Sequence, residues 1–332
     1  GFYIEDQSVV YLVDKDQQVR RFFGGGKETG DPEGKNPLSV KASVVQIAVS
    51  GPNELIVAVP MNAGVSLFKV TPEKVEAVRM SGGKIATLPS PQNPTPYLLQ
   101  VASDSTIYFL DKSQSTQPQT VYVIRQGEAL KEFQTNGIRL QNLIRLPDGR
   151  VAGSINFGFF HYQLTTSGLG ERISFLDGVP GPQITFVNGN VYSSNTQNSQ
   201  STLRPILKRN GTDGTWSLMS LNQFLSSPMW RGEFIGAGPD GSIILSENRL
   251  NFWKMSNPES CSYIPGPKVK AASLVNSANY AKPDTIAPGQ LMTIFGENLG
   301  PAEGHGQYSD PYGRWMNSPV HPGLGMGIVE FG

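Results

Sequence analysis

The sequence predicts an all-β fold built as a six-bladed β-propeller, and three observations carry that expectation. Glycine (37) and proline (25) make up nearly a fifth of the chain and are spread along it, as many short strands joined by tight turns require. The apolar runs are short and rich in Val, Ile, Tyr and Phe, the composition of strands. A unit of apolar run, polar turn, second run and third run recurs at intervals of 40 to 52 residues, the size of a four-stranded blade.

The units follow in order. The first runs through 2–4, turns at Glu5-Asp6-Gln7, and continues through 9–13 and 19–22. The second takes 45–49, Gly51-Pro52-Asn53, 55–59 and 65–68. The third takes 97–101, Ser103-Asp104-Ser105, 107–110 and 121–124. The fourth is the clearest, with 142–146, Pro147-Asp148-Gly149-Arg150 and 151–155. The fifth has 184–187, Asn188-Gly189-Asn190 and 191–192; the sixth has 234–237, Gly238-Pro239-Asp240-Gly241, 242–245 and 250–253. Asn-Gly and Asp-Gly supply the positive φ that tight hairpins need. A β-sandwich also spaces its strands evenly, but its strands would not group into hairpin triplets at a domain-scale period. Weak helical signals, a turn or two each, lie at 126–133 and 221–225.

Composition excludes several classes. Basic and acidic residues balance at 27 each for a formal charge of zero, whereas a nucleic-acid binder carries a basic surplus. Arg20-Arg21 and Lys268/Lys270 are runs too short to change this, and read as solvated faces. No stretch approaches the ~20 apolar residues of a membrane span. The single cysteine, Cys261, forms no internal disulfide and has no neighbouring base to activate it. The chain begins at Gly1 without a signal peptide, so the expectation is a sequence entered after processing or as a fragment.

Two segments carry family resemblances. Tyr11-Leu12-Val13-Asp14, Gln17-Gln18, Val19-Arg20-Arg21-Phe22-Phe23 and the glycine-rich stretch Gly24-Gly25-Gly26 to Gly34 resemble an NHL-type propeller repeat. Tyr108-Phe109-Leu110-Asp111 repeats its first element, and later units drift from it. Near the end, 272–280, Ile286-Ala287-Pro288-Gly289, 291–296 and Asn298-Leu299-Gly300 resemble the C-terminal domain of secreted acidobacterial proteins. That domain is similar to the IPT/TIG immunoglobulin-like fold. The resemblances imply a propeller over residues 1–267 and an incomplete immunoglobulin-like β-sandwich over 268–332. About 60 residues fall short of the ~100 that such a sandwich needs, so truncation is expected.

No catalytic constellation emerges, and no catalytic, cofactor-binding or metal-binding residue is assigned. His161 alternates with Phe160, Tyr162 and Leu164, which turns it toward a channel or a neighbouring blade. His305 and His321 lack a metal-ligand spacing. Gly24-Gly25-Gly26-Lys27 lacks both the phosphate-loop spacing and a following helix. Gly323-Leu324-Gly325-Met326-Gly327 lacks the strand–turn–helix context of a dinucleotide site. Asp14-Lys15-Asp16, and Asp310 near Asn317, offer oxygen ligands of the kind calcium takes, although two acids at a hairpin are ordinarily turn formers.

The functional expectation is a non-catalytic binding or scaffold propeller, secreted or in the cell envelope, recognising a protein or glycan partner without any cofactor. The polar loops 113–120 and 194–202 would supply its contact surface. One rival is a propeller hydrolase or lyase with a channel metal site, for which Asp14, Asp111 and His161 are the nominees. Another is a structural subunit that self-assembles through the C-terminal domain and its strand edge.

Overall fold

In the computed structural model, the structure describes residues 2–6, 8–14, 16, 18–89, 97–111, 119–155, 160–176, 183–194, 206–209, 216–219, 232–238, 240–247, 251–260, 263–265, 268–276, 292–297, 308–309 and 315–316. Six antiparallel sheets, each made of consecutive strands, follow one another among these residues up to 265. The first holds β1 (Phe2–Asp6), β2 (Val9–Val13) and β3 (Val19–Gly24). The second holds β4 (Gln46–Gly51), β5 (Glu54–Met61), β6 (Gly64–Val70) and β7 (Val75–Ala77), with β8 (Thr87–Leu88) also on β6. The third is β9 (Tyr97–Val101), β10 (Ile107–Asp111), β11 (Thr120–Ile124) and β12 (Lys131–Gln134).

The fourth is β13 (Asn142–Arg145), β14 (Val151–Ile155), β15 (Phe160–Leu164) and β16 (Leu169–Arg172). The fifth is β17 (Gln183–Val187), β18 (Asn190–Ser194), β19 (Ile206–Arg209) and β20 (Trp216–Met219). The sixth is β21 (Gly232–Ala237), β22 (Ile243–Glu247) and β23 (Asn251–Met255). The chain then returns to the fifth sheet, where β24 (Tyr263–Pro265) pairs with β20. Beyond it, β25 (Lys268–Asn276) pairs antiparallel with β26 (Met292–Glu297), and β27 (Tyr308–Ser309) with β28 (Trp315–Met316).

Packing distinguishes this arrangement from a sandwich. Side chains alternate along a strand, and in β5 the two sets meet different neighbours. Leu55, Val57 and Val59 pack with Val10, Leu12, Phe22 and Phe23 of the first sheet. Ile56 and Ala58 pack with Leu99, Ile107, Phe109 and Ile124 of the third. In β10 the pattern repeats: Ile107 and Phe109 face the second sheet, whereas Tyr108 and Leu110 face Leu143, Val151 and Leu164 of the fourth. Ile144 and Ala152 then meet Ile184 and Val191 of the fifth.

Inner sheets are therefore buried on both faces, which is why their strands read as continuous apolar runs. A two-layer sandwich would leave one face of each sheet wet. First strands also stand side by side, β4 against β9, β9 against β13, and β17 against β21. Sheets stacked face to face in chain order, with their first strands adjacent, are the blades of a β-propeller.

The helical expectation at 126–133 is overturned. Gly127 has φ +79 in a turn, and Lys131, Glu132 and Gln134 are exposed around buried Phe133. These residues form an edge strand, β12, paired with β11. Among the described residues, helical structure is confined to 3-10 turns at Ser81–Gly83, Ser174–Leu176 and Pro258–Ser260. No helix among them is long and apolar enough to cross a membrane. The expected helical turn at 221–225 lies outside the described residues.

Candidate functional site

Labelling the strands of each sheet A to D in order, the A–B turns of the third, fourth and sixth sheets share one geometry. In Ala102-Ser103-Asp104-Ser105-Thr106 the first amide donates to the last carbonyl at 2.8 Å, and the fourth amide to the first carbonyl at 3.0 Å. Leu146 to Arg150 repeats both bonds at 2.8 and 2.9 Å, and Gly238 to Ser242 repeats them at 2.8 and 3.3 Å. The aspartate of each turn accepts the amide two residues on, from Thr106, Arg150 and Ser242. The residue after each aspartate has positive φ: Ser105 +63, Gly149 +85, Gly241 +75. Neighbouring turns also meet. The Ser103 amide donates to the Gly149 carbonyl at 2.8 Å, and Gly241 lies against the Asn188 side chain.

The second oxygen of each turn acid meets a cation. Asp104 pairs with Arg125 at 2.7 Å, Asp148 with Arg150 at 2.8 Å, and Asp240 with Lys254 at 2.6 Å. Glu54, which opens the B strand of the second sheet, pairs with Lys69 at 2.5 Å. These contacts act on ionisation. Partial burial works against the Asp104 carboxylate, but bonds from the Thr106 hydroxyl and amide and from Arg125 outweigh it and lower the pKa. Bonds from Arg150 lower that of Asp148. Lys254, aided by Ser242, holds Asp240 well below the ordinary carboxylate range. A general acid or base at neutral pH needs the opposite displacement.

The residues singled out by sequence fall in separate places. Asp14 caps a hairpin: its Oδ1 accepts the amides of Asp16 and Gln18, each at 3.0 Å. Asp111 ends β10 as Asp14 follows β2, one sheet in two removed from the other. His161 lies in β15 opposite Ser154 and is fully buried, so no solvent-borne substrate reaches it. Among the described residues, no three His, Cys, Asp or Glu side chains gather as a metal-binding group.

The glycine-rich loop is closed by its own chain. Gly24 N donates to Pro37 O at 3.0 Å, Gly26 N to Val40 O at 2.8 Å and Glu28 N to Ser39 O at 2.9 Å. The amides that a phosphate would require are thus engaged. Of the loop 113–120, the end is core: Gln119 is buried and bonds both the amide and the carbonyl of Leu140, at 2.7 and 3.2 Å. Residues 113–118, 195–202, Cys261, His305, Asp310, Asn317, His321 and 323–327 lie outside the described residues.

A cavity of about 130 Å³ opens between the fourth and fifth sheets, where Pro147 of one A–B turn approaches Gly189 and Asn190 of the next. Phe175, Phe186, Val191 and Arg209 complete it. Phe175, on the 3-10 turn linking the two sheets, is 39% exposed. The Asn190 side chain donates to Glu259 at 3.1 Å. Arg209 Nε is shielded from solvent and meets no acceptor among the described residues. Sequence reasoning missed this cavity because its walls come from four stretches of chain, none of them a motif. The one signal was local: an arginine ending a C strand, with no acid at the A–B turn of its own sheet.

No family model matches the sequence, and no curated protein matches it. Among solved structures, the chain is similar to virginiamycin B lyase from Staphylococcus aureus, at 14% identity and TM-score 0.42, over 67% of this chain and 69% of that one. It is similar to YCF48 bound to D1 peptide, at 12% identity and TM-score 0.42, over 79% and 80%. It is also similar to a chain of the nidogen/laminin complex, at 8% identity and TM-score 0.45, over 79% and 91%. The fold stands on the strand order and two-faced packing described above.

Proposed function

We propose that the chain is a non-catalytic binding or scaffold propeller of the cell exterior, secreted or in the envelope, that recognises a protein or glycan partner. In this reading residues 1–267 form a six-bladed ring, and 268–332 begin an immunoglobulin-like domain. The observation that carries the reading is the state of the rim acids. Asp104, Asp148 and Asp240 are each spent on a turn amide and a cation, and their pKa values are lowered. Such groups shape a surface; they do not shuttle protons at neutral pH. A rigid set of sheets that presents turns of fixed geometry suits recognition.

The test uses the full chain. Thermal melts and calorimetric titrations with Mg²⁺, Ca²⁺, Mn²⁺ and Zn²⁺ are run beside hydrolysis and lyase assays on lactones, esters and glycosides. The same protein is then applied to arrays of envelope proteins and glycans. Saturable binding to an array member, without turnover, is the expected result. Metal-dependent turnover that disappears in Asp14→Asn, Asp111→Asn or His161→Gln would replace the binding reading with the enzyme reading.

A further inference from the structure

We propose that the cavity beside Arg209 is a socket for one acidic side chain, Glu or Asp, of a protein partner. This deepens the binding reading above and rests on it. Size sets the class of occupant. About 130 Å³ is room for roughly four waters at ~30 Å³ each, whereas sites for cofactors and drug-sized ligands run to ~300–1,000 Å³. The cavity takes one side chain.

The lining sets its chemistry. Phe175, Phe186, Pro147 and Val191 form an apolar wall suited to a methylene stem. Arg125 and Arg150 have carboxylate partners at 2.7 and 2.8 Å, and Arg79 has one at 2.6 Å. Arg209 has none among the described residues and lines the cavity, while its Nε lies below the surface with no acceptor. A cavity-lining arginine without a carboxylate partner takes one from outside, and a carboxylate fits the guanidinium fork best.

Other charges near the cavity narrow the choice. Asp148, beside Pro147, is neutralised by Arg150. Glu259 reaches the rim and is held by Asn190, so a dianion such as phosphate would meet repulsion that a single carboxylate balances against Arg209. Asn190 is engaged, which leaves few donors for the many hydroxyls of a sugar. An exposed aromatic beside an arginine is also the composition of protein–protein hot spots.

The test observes the arginine side-chain N–H signals of the full chain, with Arg209 Nε identified by its loss in Arg209→Met. The probes are N-acetylglutamate methylamide, its glutamine counterpart, sodium propionate and glucuronate. The expected result is a saturable shift with the glutamate probe, at least roughly tenfold tighter than with glutamine. Arg209→Met should melt at the wild-type temperature, since no side-chain bond is lost. Phe175→Ser, at an exposed position, should weaken the glutamate response while Arg209 stays in place.

Equal responses to glutamate and glutamine overturn the proposal, as does a large fall in melting temperature for Arg209→Met. Propionate binding as tightly as the blocked amino acid makes this a free-carboxylate site, and tighter glucuronate makes it a glycan site; either outcome overturns the peptide commitment. If Arg209→Met keeps full affinity for an array partner, the socket fails alone. Substrate turnover by the wild type brings down the binding reading itself.

Discussion

Truncating two adjacent residues of β5 separates a propeller blade from a half-exposed strand. Leu55 and Ile56 are 0% and 4% exposed, although their side chains leave opposite faces of the strand. Leu55 is buried against the first sheet and Ile56 against the third. Leu55→Ala and Ile56→Ala should therefore each cost ~2–5 kcal/mol, from lost transfer energy plus the cavity left behind. Val19→Ala, at a position 63% exposed, should stay within ~0.5 kcal/mol. At ~2–4 °C per kcal/mol for a domain of this size, the two core variants should melt roughly 4–20 °C below wild type. Urea midpoints should fall in the same order. If either core variant behaves like Val19→Ala, β5 has one wet face, and the stacking of sheets in chain order is wrong.

Three further outcomes follow from local geometry. Gly149→Ala should destabilise far more than Gly30→Ala in thermal melts. Both have φ +85, but a Cβ at Gly149 would overlap Ser103 whereas one at Gly30 meets open space, leaving only the left-handed penalty of ~1–2 kcal/mol. Gln119→Ala should cost ~1–3 kcal/mol in urea unfolding, because the buried Leu140 amide loses its acceptor. On the acid side, Asp104, Asp148 and Asp240 have folded pKa values below the ordinary ~3.9. The folded state thus holds fewer protons, so their contribution is complete above about pH 5 and is lost as pH falls through 3.9 and below. Urea midpoints measured from pH 6 to 2 should drop, more gently in Asp240→Asn; a midpoint that rises below pH 4 would contradict the pairing.

Much of the fold was legible because it is local. Asp148-Gly149 and Asn188-Gly189 state their turns in two letters, and the apolar runs beside them are the strands that the turns join. Asp14 and Asp111 share a Tyr-x-x-Asp pattern and hold matching positions at the ends of B strands. The stretch 126–133 misled for a physical reason. Glu128 and Lys131 form the i,i+3 ion pair that a helix also uses, at 3.1 Å, while Gly127 and the lone buried Phe133 decide for a turn and an edge strand. His161 was read from strand alternation alone, which gives its face but not which sheet covers that face. The cavity was invisible because Phe175, Phe186 and Arg209 converge only once two sheets pack.

Where recognition sits follows from how the sheets use their residues. Each inner sheet has both faces on its neighbours, and the A–B turns of the third, fourth and sixth sheets hold their shape with Asp104, Asp148 and Asp240. An opening is left at a seam where two neighbouring sheets diverge. At the seam between the fourth and fifth sheets Leu146, Ile173, Leu176 and Val191 still pack as core, but Phe186 is only partly covered, and the space beside it reaches Arg209. The fifth sheet turns differently, through Asn188-Gly189 with both residues at positive φ, and has no acid there. The cation that ends its C strand, Arg209, therefore lacks the rim acid that Arg125 and Lys254 find in their own sheets. A turn of another geometry, without an acid, thus leaves Arg209 at the cavity without a rim partner.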